Sequence, residues 1–366
     1  MKFGKLIIIL SILLSGCKSS TVDISNHSAK SSNLKYLEWL ENDSVELSTR
    51  NDIKDQVLQA YLNEDFASLE AMASEFRNSE EKTSSGVWKL SWFYRSFHDL
   101  TATYRDKDRF YEEQLQVIRR WIEQFPDSPT GYIVYSEILH SKAFSYRGKD
   151  WDEDARDDKN ARYKSELNRN FKHLEYYRYI AATDPQWHVI MANTLRGLGA
   201  ESEEFWQHIK EGISDYPYYQ EIYFAAAMYY SPRWYGDPEQ VDVLARQAVD
   251  KTFDKLGESM YVRVYWSAAR LGGDVPIYLY DTTDWDMVIR SMRDVLSEYP
   301  DQWNINHFAY FSCLKGDVQT LAALLQMLKT PIKSAWRSTE VYNLCLKAAE
   351  GIDTQSDSGF KSLDKT

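Results

Sequence analysis

The chain has 366 residues, with 43 Lys and Arg against 55 Asp and Glu, a formal charge of −12, and 43% hydrophobic residues. That acidic surplus repels nucleic acid and anionic lipid surfaces, so neither is an expected partner. The length suits one elongated domain or two compact ones.

The first residues have the layout of an export signal. Lys2 and Lys5 supply a positive start, and Leu6 to Leu14 are apolar apart from Ser11. That run is too short for a bilayer, which takes about 20 helical residues. Leu14-Ser15-Gly16-Cys17 then follows the lipobox pattern of bacterial lipoproteins. Residues 1–16 are therefore expected to be a cleaved leader, and Cys17 the site of lipidation, carrying a diacylglyceryl group and an N-acyl chain. Two or three acyl chains make release from a bilayer negligible. Loss of Lys2 and Lys5 with the leader takes the formal charge from −12 to −14. Lys18, rather than Asp, follows the cysteine. By resemblance to enterobacterial lipoproteins, this directs the chain to the outer membrane where the source has one.

Residues 17–32 are polar, Ser-rich and without periodicity, which reads as a flexible tether of about 20 Å root-mean-square length. Residues 33–350 read as a helical domain, with a break between two lobes allowed near 150–160. Residues 351–366 have the composition of a disordered tail.

Helical periodicity dominates the domain. Ile53, Val57, Ala60 and Tyr61 suit one helix, and Phe66, Leu69, Met72, Ala73 and Phe76 the next. Three later helices are expected to end in an aromatic-proline pair: Phe125-Pro126, Tyr216-Pro217 and Tyr299-Pro300. Counting back three residues from each aromatic gives Ile122, Ile213 and Leu296, counting back seven gives Ile118, Ile209 and Met292, and counting back ten gives Leu115, Trp206 and Ile289. All are apolar. Proline ends a helix and pushes the preceding residue out of helical geometry, which suits a tight antiparallel turn. Asp184-Pro185-Gln186-Trp187 marks a similar junction. Asp237-Pro238-Glu239-Gln240 marks a helix start, and its stripe runs from Val241 to Leu256. Val288 to Tyr299 and Val318 to Leu328 supply the last two stripes. With no convincing run of period-two strands, the expected fold is all-α. The recurrence indicates a tetratricopeptide-like α-solenoid of antiparallel helical hairpins.

Tyr146-Arg147-Gly148, Leu195-Arg196-Gly197-Leu198-Gly199, Ser231-Pro232-Arg233-Trp234-Tyr235-Gly236 and the stretch from Tyr299 through Asn306 to Asp317 carry a family resemblance. The chain resembles bacterial tetratricopeptide-like lipoproteins that contain a helical domain of unknown function, over roughly Ser84 to Lys347. In that family two glycines usually follow the arginine-tryptophan phrase, and here Tyr235 stands in the first place. The resemblance implies helical hairpins and carries no activity.

Reactive motifs are few. The acidic run Asp150 to Ala155 lacks the glycine and the glutamate of a calcium loop, with Ala155 and Ala161 in their places. The seven histidines form no His-x-x-x-His pair, and no phosphate loop or nucleophile elbow is present. No cofactor is expected beyond the lipid on Cys17, and no enzymatic role. Cys313 and Cys345 remain after lipidation. An oxidising compartment permits a disulfide between them, and two buried thiols fit the sequence equally.

Aromatic residues make up 14% of the chain, concentrated in runs such as Trp88 to Phe97 and Tyr216 to Tyr230. Most are expected to pack between helices. If a surface is used, the candidates are Arg233, Trp234 and Tyr235, with Tyr219, Tyr223 and Tyr230 sharing one face of the preceding helix. The expected function is that of a membrane-anchored envelope lipoprotein that binds a protein or peptide without catalysis. The alternative is a glycan- or peptidoglycan-binding lipoprotein using its aromatic rings.

Overall fold

The structure is a computed structural model that describes residues 44–101, 107–147, 156–269, 276 and 279–350. Cys17, the leader, the tether, the acidic run at Asp150 to Ala155 and the tail lie outside the described residues. The fold is all-α, as expected: α1 to α17 follow in chain order, and no strand occurs among the described residues.

The N-terminal part comprises α1 (Val45–Leu62), α2 (Phe66–Ser79) and α3 (Lys89–Arg95), extended by a 3₁₀ turn at Ser96–Thr101. The first helix begins before its apolar stripe because the Ser44 side chain caps it, accepting from Leu47 N at 3.1 Å. Helices α4 (Lys107–Gln124) to α13 (Trp285–Glu298) then pack in turn on one another, followed by α14 (Gln302–Lys315), α15 (Val318–Met327), the short α16 (Lys333–Trp336) and α17 (Thr339–Ala349). Helices α5 (Pro129–Arg147) and α6 (Arg156–Tyr176) form one of the most extensive pairings, across the place where a break was allowed.

The aromatic-proline junctions share a backbone solution. Tyr216 sits at φ −135°, ψ 64° and Tyr299 at φ −132°, ψ 68°, both outside the helical region that a following proline disfavours. Each aromatic still donates its N–H to the carbonyl four residues back: Phe125 to Trp121 at 3.0 Å, Tyr216 to Gly212 at 2.9 Å, and Tyr299 to Val295 at 2.8 Å. In two junctions a tyrosine six residues beyond the proline donates back to it, Tyr132 to the Pro126 carbonyl at 2.9 Å and Tyr223 to that of Pro217 at 3.0 Å. Seven residues before the aromatic, Ile118, Ile209 and Met292 are completely buried.

The helices divide into two kinds. Helices α4, α9 (Ser202–Asp215) and α13 bury one stripe each, as Phe205, Ile209, Gly212 and Ile213 do in α9. Helices α8 (Gln186–Leu198), α10 (Gln220–Tyr229), α12 (Met260–Ala269) and α14 are buried almost all round, in unbroken runs such as Asn304 to Ser312. Such inner helices need cover on both sides. Their stripe-bearing neighbours provide one cover, and the N-terminal part contributes to the other: α1 packs on α14, and the loop before α3 reaches α12 and α14.

Buried polar pairs fasten the N-terminal part in place. Asp184, fully buried, accepts from Arg77 Nε at 2.6 Å, from the Tyr94 hydroxyl at 2.7 Å and from Gln186 N at 2.8 Å. Trp88 donates its indole N–H to the Tyr218 carbonyl at 3.0 Å and sets its ring edge-on to Tyr219. Glu46, also fully buried, accepts from Arg50, Thr83, Ser84 and the Ser85 N–H. Burial pushes its carboxyl up, but these donors and the Arg50 charge together hold it below the usual value. At the far end, Cys313 of α14 and Cys345 of α17 are joined as a disulfide, their Cα atoms 5.7 Å apart.

Candidate functional site

Where the N-terminal helices meet the inner ones, two adjoining cavities of about 340 and 700 Å³ remain open. Six residues line both: Arg50, Trp92, Arg95, Glu221, Phe224 and Ser267. Volumes in this range are those of small-ligand sites.

Planar groups from four helices stand in one continuous train along these walls. Trp266 of α12 lies 4.4 Å from His307 of α14, and His307 lies 4.3 Å from Trp303, one helical turn away. The Arg50 guanidinium of α1 sits between Trp303 and Trp92, 4.4 and 4.3 Å from their ring centres. Arg95 lies 4.8 Å from the Trp92 ring and pairs with Glu221 of α10 at 2.6 Å. Guanidinium over indole is the strongest cation–π pairing proteins offer, and it fixes Arg50 and Arg95 at the cavity boundary.

The charge around the smaller cavity runs against that of the chain. Arg50, Arg95, Arg263 and Arg337 line it, with Glu221 as the one carboxylate among the described residues. Arg50 and Arg95 have carboxylate partners in Glu46 and Glu221. Arg263 does not. It is 4% exposed and donates from Nη2 to the Ser85 carbonyl at 2.8 Å, with no ion pair among the described residues. Burial pulls its pKa down from 12.5 to about 10, with Tyr299, Glu46 and Glu221 only partly offsetting this. Gly86 makes this approach practicable: its φ is +86°, and a Cβ there would meet Arg263 Nη2 and the Tyr299 ring at 2.6 Å. Arg337, exposed at the rim, holds φ +66°, ψ −42°, with Ser338 N bonded to the Trp336 carbonyl at 2.8 Å. That is the strained form of the three-residue γ-turn.

The larger cavity is more polar, with Asn51, Lys54, Ser96, Asn193 and Ser267 in its wall. Glu137 accepts there from His98 at 2.9 Å and Gln186 at 2.8 Å. Burial pushes its carboxyl up, and the hydrogen bond from His98 leads the effects that leave it below the ordinary value. Among the described residues no cluster of His, Cys, Asp or Glu has the makings of a metal site.

No protein-family model, curated protein or solved structure matches this chain.

The aromatic residues singled out in the sequence lie elsewhere. Tyr219, Tyr223 and Tyr230 do fall on or beside α10, but each is buried, at 1%, 0% and 9% exposure. Their common face turns inward because α10 is an inner helix with neighbours on both sides. Trp234 lies between two guanidiniums, 4.6 Å from Arg147 and 4.8 Å from Arg196. Tyr235 donates to the Arg196 carbonyl at 3.1 Å while half of it stays exposed, and Arg233 is exposed. The loop thus rests against α8, and the three tyrosines do not share an exposed surface with Arg233 and Tyr235. The tryptophan run from Trp88 to Phe97 did contain Trp92 and Arg95. Arg263 carried its own signal, a charge alone in the apolar stretch Met260 to Ala269. Arg50 and Arg337 stand among ordinary polar neighbours, and nothing in their local sequence marks them.

Proposed function

We propose that this chain is a lipid-anchored binding protein of the bacterial envelope, a tetratricopeptide-like solenoid that holds an anionic ligand without transforming it. The observation that carries the reading is Arg263, a buried guanidinium beside an open cavity with no carboxylate partner among the described residues. Buried charges are ordinarily paired, and a missing partner points to one supplied from outside. Support for the solenoid comes from the repeated Tyr-Pro geometry at Tyr216 and Tyr299. Support for the anchor comes from the lipobox ending at Cys17 and the tether after it; outer-membrane residence rests on Lys18. Support for binding without catalysis comes from the carboxylates of the site, since Glu221 and Glu137 are both held by cations or amides.

A protein or peptide partner in the envelope would present its anionic group at this cavity rather than lie along the inner helices. Ser85 and Trp88 of the chain itself already rest against them. Tryptophan emission of the full chain, titrated with tricarballylate, inorganic phosphate and a neutral triol, tests the reading. Saturable quenching by an anion with a Kd of about 1 mM or tighter is expected, lost in Arg263→Met. Equal responses to anions and the triol, or none, would overturn it.

A further inference from the structure

Resting on that reading, we infer that the ligand is an acidic oligosaccharide whose charged sugar enters the smaller cavity. Three features of the walls choose among anions. First, Trp266 lines the smaller cavity with His307 against its ring at 4.4 Å and only edge contacts besides, and the C–H face of a pyranose ring lies flat on an indole. Second, Arg263 stands at the same cavity and Arg337 at its rim, and the guanidinium fork matches the two oxygens of a carboxylate. Third, the adjoining larger cavity is walled by the amides Asn51 and Asn193 and the hydroxyls Ser96 and Ser267, which bond sugar hydroxyls as donors and acceptors. A charged sugar in the smaller space with neutral hydroxylated units in the larger one uses all three.

An acidic peptide uses fewer of them. Peptide binding by main-chain pairing needs free backbone donors and acceptors. The walls are mostly helical, and helices spend those groups on themselves. A peptide's carboxylates would find the arginines while its backbone met the Trp266 ring.

The experiment is calorimetric and fluorescent titration of the detergent-solubilised full chain with trigalacturonate, its methyl ester, maltotriose and tri-glutamate. Trigalacturonate is expected to bind at least tenfold more tightly than the other three. Arg263→Met and Trp266→Ala are each expected to weaken it tenfold or more, with the melting temperature of the free protein showing that both variants fold. Should either fail to fold, Arg337→Ala at the exposed rim replaces it and is expected to weaken binding threefold or more. Tri-glutamate equalling or exceeding trigalacturonate would overturn the sugar assignment and leave the anion site standing. Equal binding of trigalacturonate and its ester would show that charge is not read, which removes both. No binding by either charged probe would also remove both.

Discussion

Replacing Arg263 by methionine should make the free protein more stable, and the size of the gain follows from its surroundings. Its pKa falls from 12.5 to about 10 on folding, which places the cost of keeping it charged at about 3 kcal/mol. A base whose folded pKa is lowered weakens the fold at every pH below that value, so the cost is fully present at neutral pH. Against it stands one hydrogen bond to a neutral carbonyl, about 1 kcal/mol. The Ser85 oxygen is not stranded by the change, because Asn304 Nδ2 also donates to it at 3.2 Å. The contact with the Tyr299 ring at 5.8 Å contributes about 0.5 kcal/mol. Methionine keeps much of the buried stem and adapts to the space. The balance is a gain of about 1–2 kcal/mol, or about 2–3 degrees in melting temperature for a chain of this size. Denaturant titration of wild type and variant in ligand-free buffer reads this directly. A loss of 1 kcal/mol or more would show that the fold itself needs the guanidinium, and the argument for an external anion would fall with it.

Reducing the Cys313–Cys345 disulfide reopens a span of 32 residues, for which the chain-entropy account gives about 4 kcal/mol. Reductant or Cys345→Ser should therefore lower the melting temperature and expose α17 to hydrogen exchange first; an unchanged melt would refute this. Burial lowers the pKa of His140 and His188 from 6.5 to about 3 and that of His173 to about 4. These rings are neutral when folded and take protons on unfolding, so stability is complete above about pH 6.5 and declines as pH falls toward 4. Denaturation midpoints at pH 7.5, 5.5 and 4.5 should decrease in that order, and a flat series would sink the assignment. Gly86→Ala combines φ +86° with a 2.6 Å clash against Arg263 and should cost about 1–3 kcal/mol, read as a lowered melting temperature.

The helices were largely legible because each outer one buries a stripe, and stripes are what periodicity records. The capping box at Asp237 and Gln240, with Pro238 in the first turn, appears where the sequence placed the helix start. The inner helices were legible as apolar and aromatic, but their second covered side was not. Nothing local in residues 44–95 states that they will pack against α10, α12 and α14. For that reason the tyrosines of α10, candidates only if a surface is used, could not be told from core, which is where they lie. The site suffered the same blindness: Arg50 lies on a polar helix, and its meaning comes from Trp303, some 250 residues away. The aromatic run from Trp88 to Phe97 contains Trp92, but nothing in it sets that ring apart. Only a lone arginine in an apolar helix, Arg263, could have been picked out beforehand.

The bonds from the loop before α3 to the distant inner helices also bear on the order in which the molecule forms. Ser85 and Asn304 are separated by 219 positions, and closing so long a span waits until the far partner exists. Neighbouring helices can associate as the chain emerges, but the smaller cavity gains its last wall only after α14 has met the N-terminal part. A nascent or clipped chain ending before α14 would retain much helix and the lining residues of the larger cavity, but not Trp303 and His307 of the smaller one. An intact smaller cavity is then a certificate of completeness, issued last.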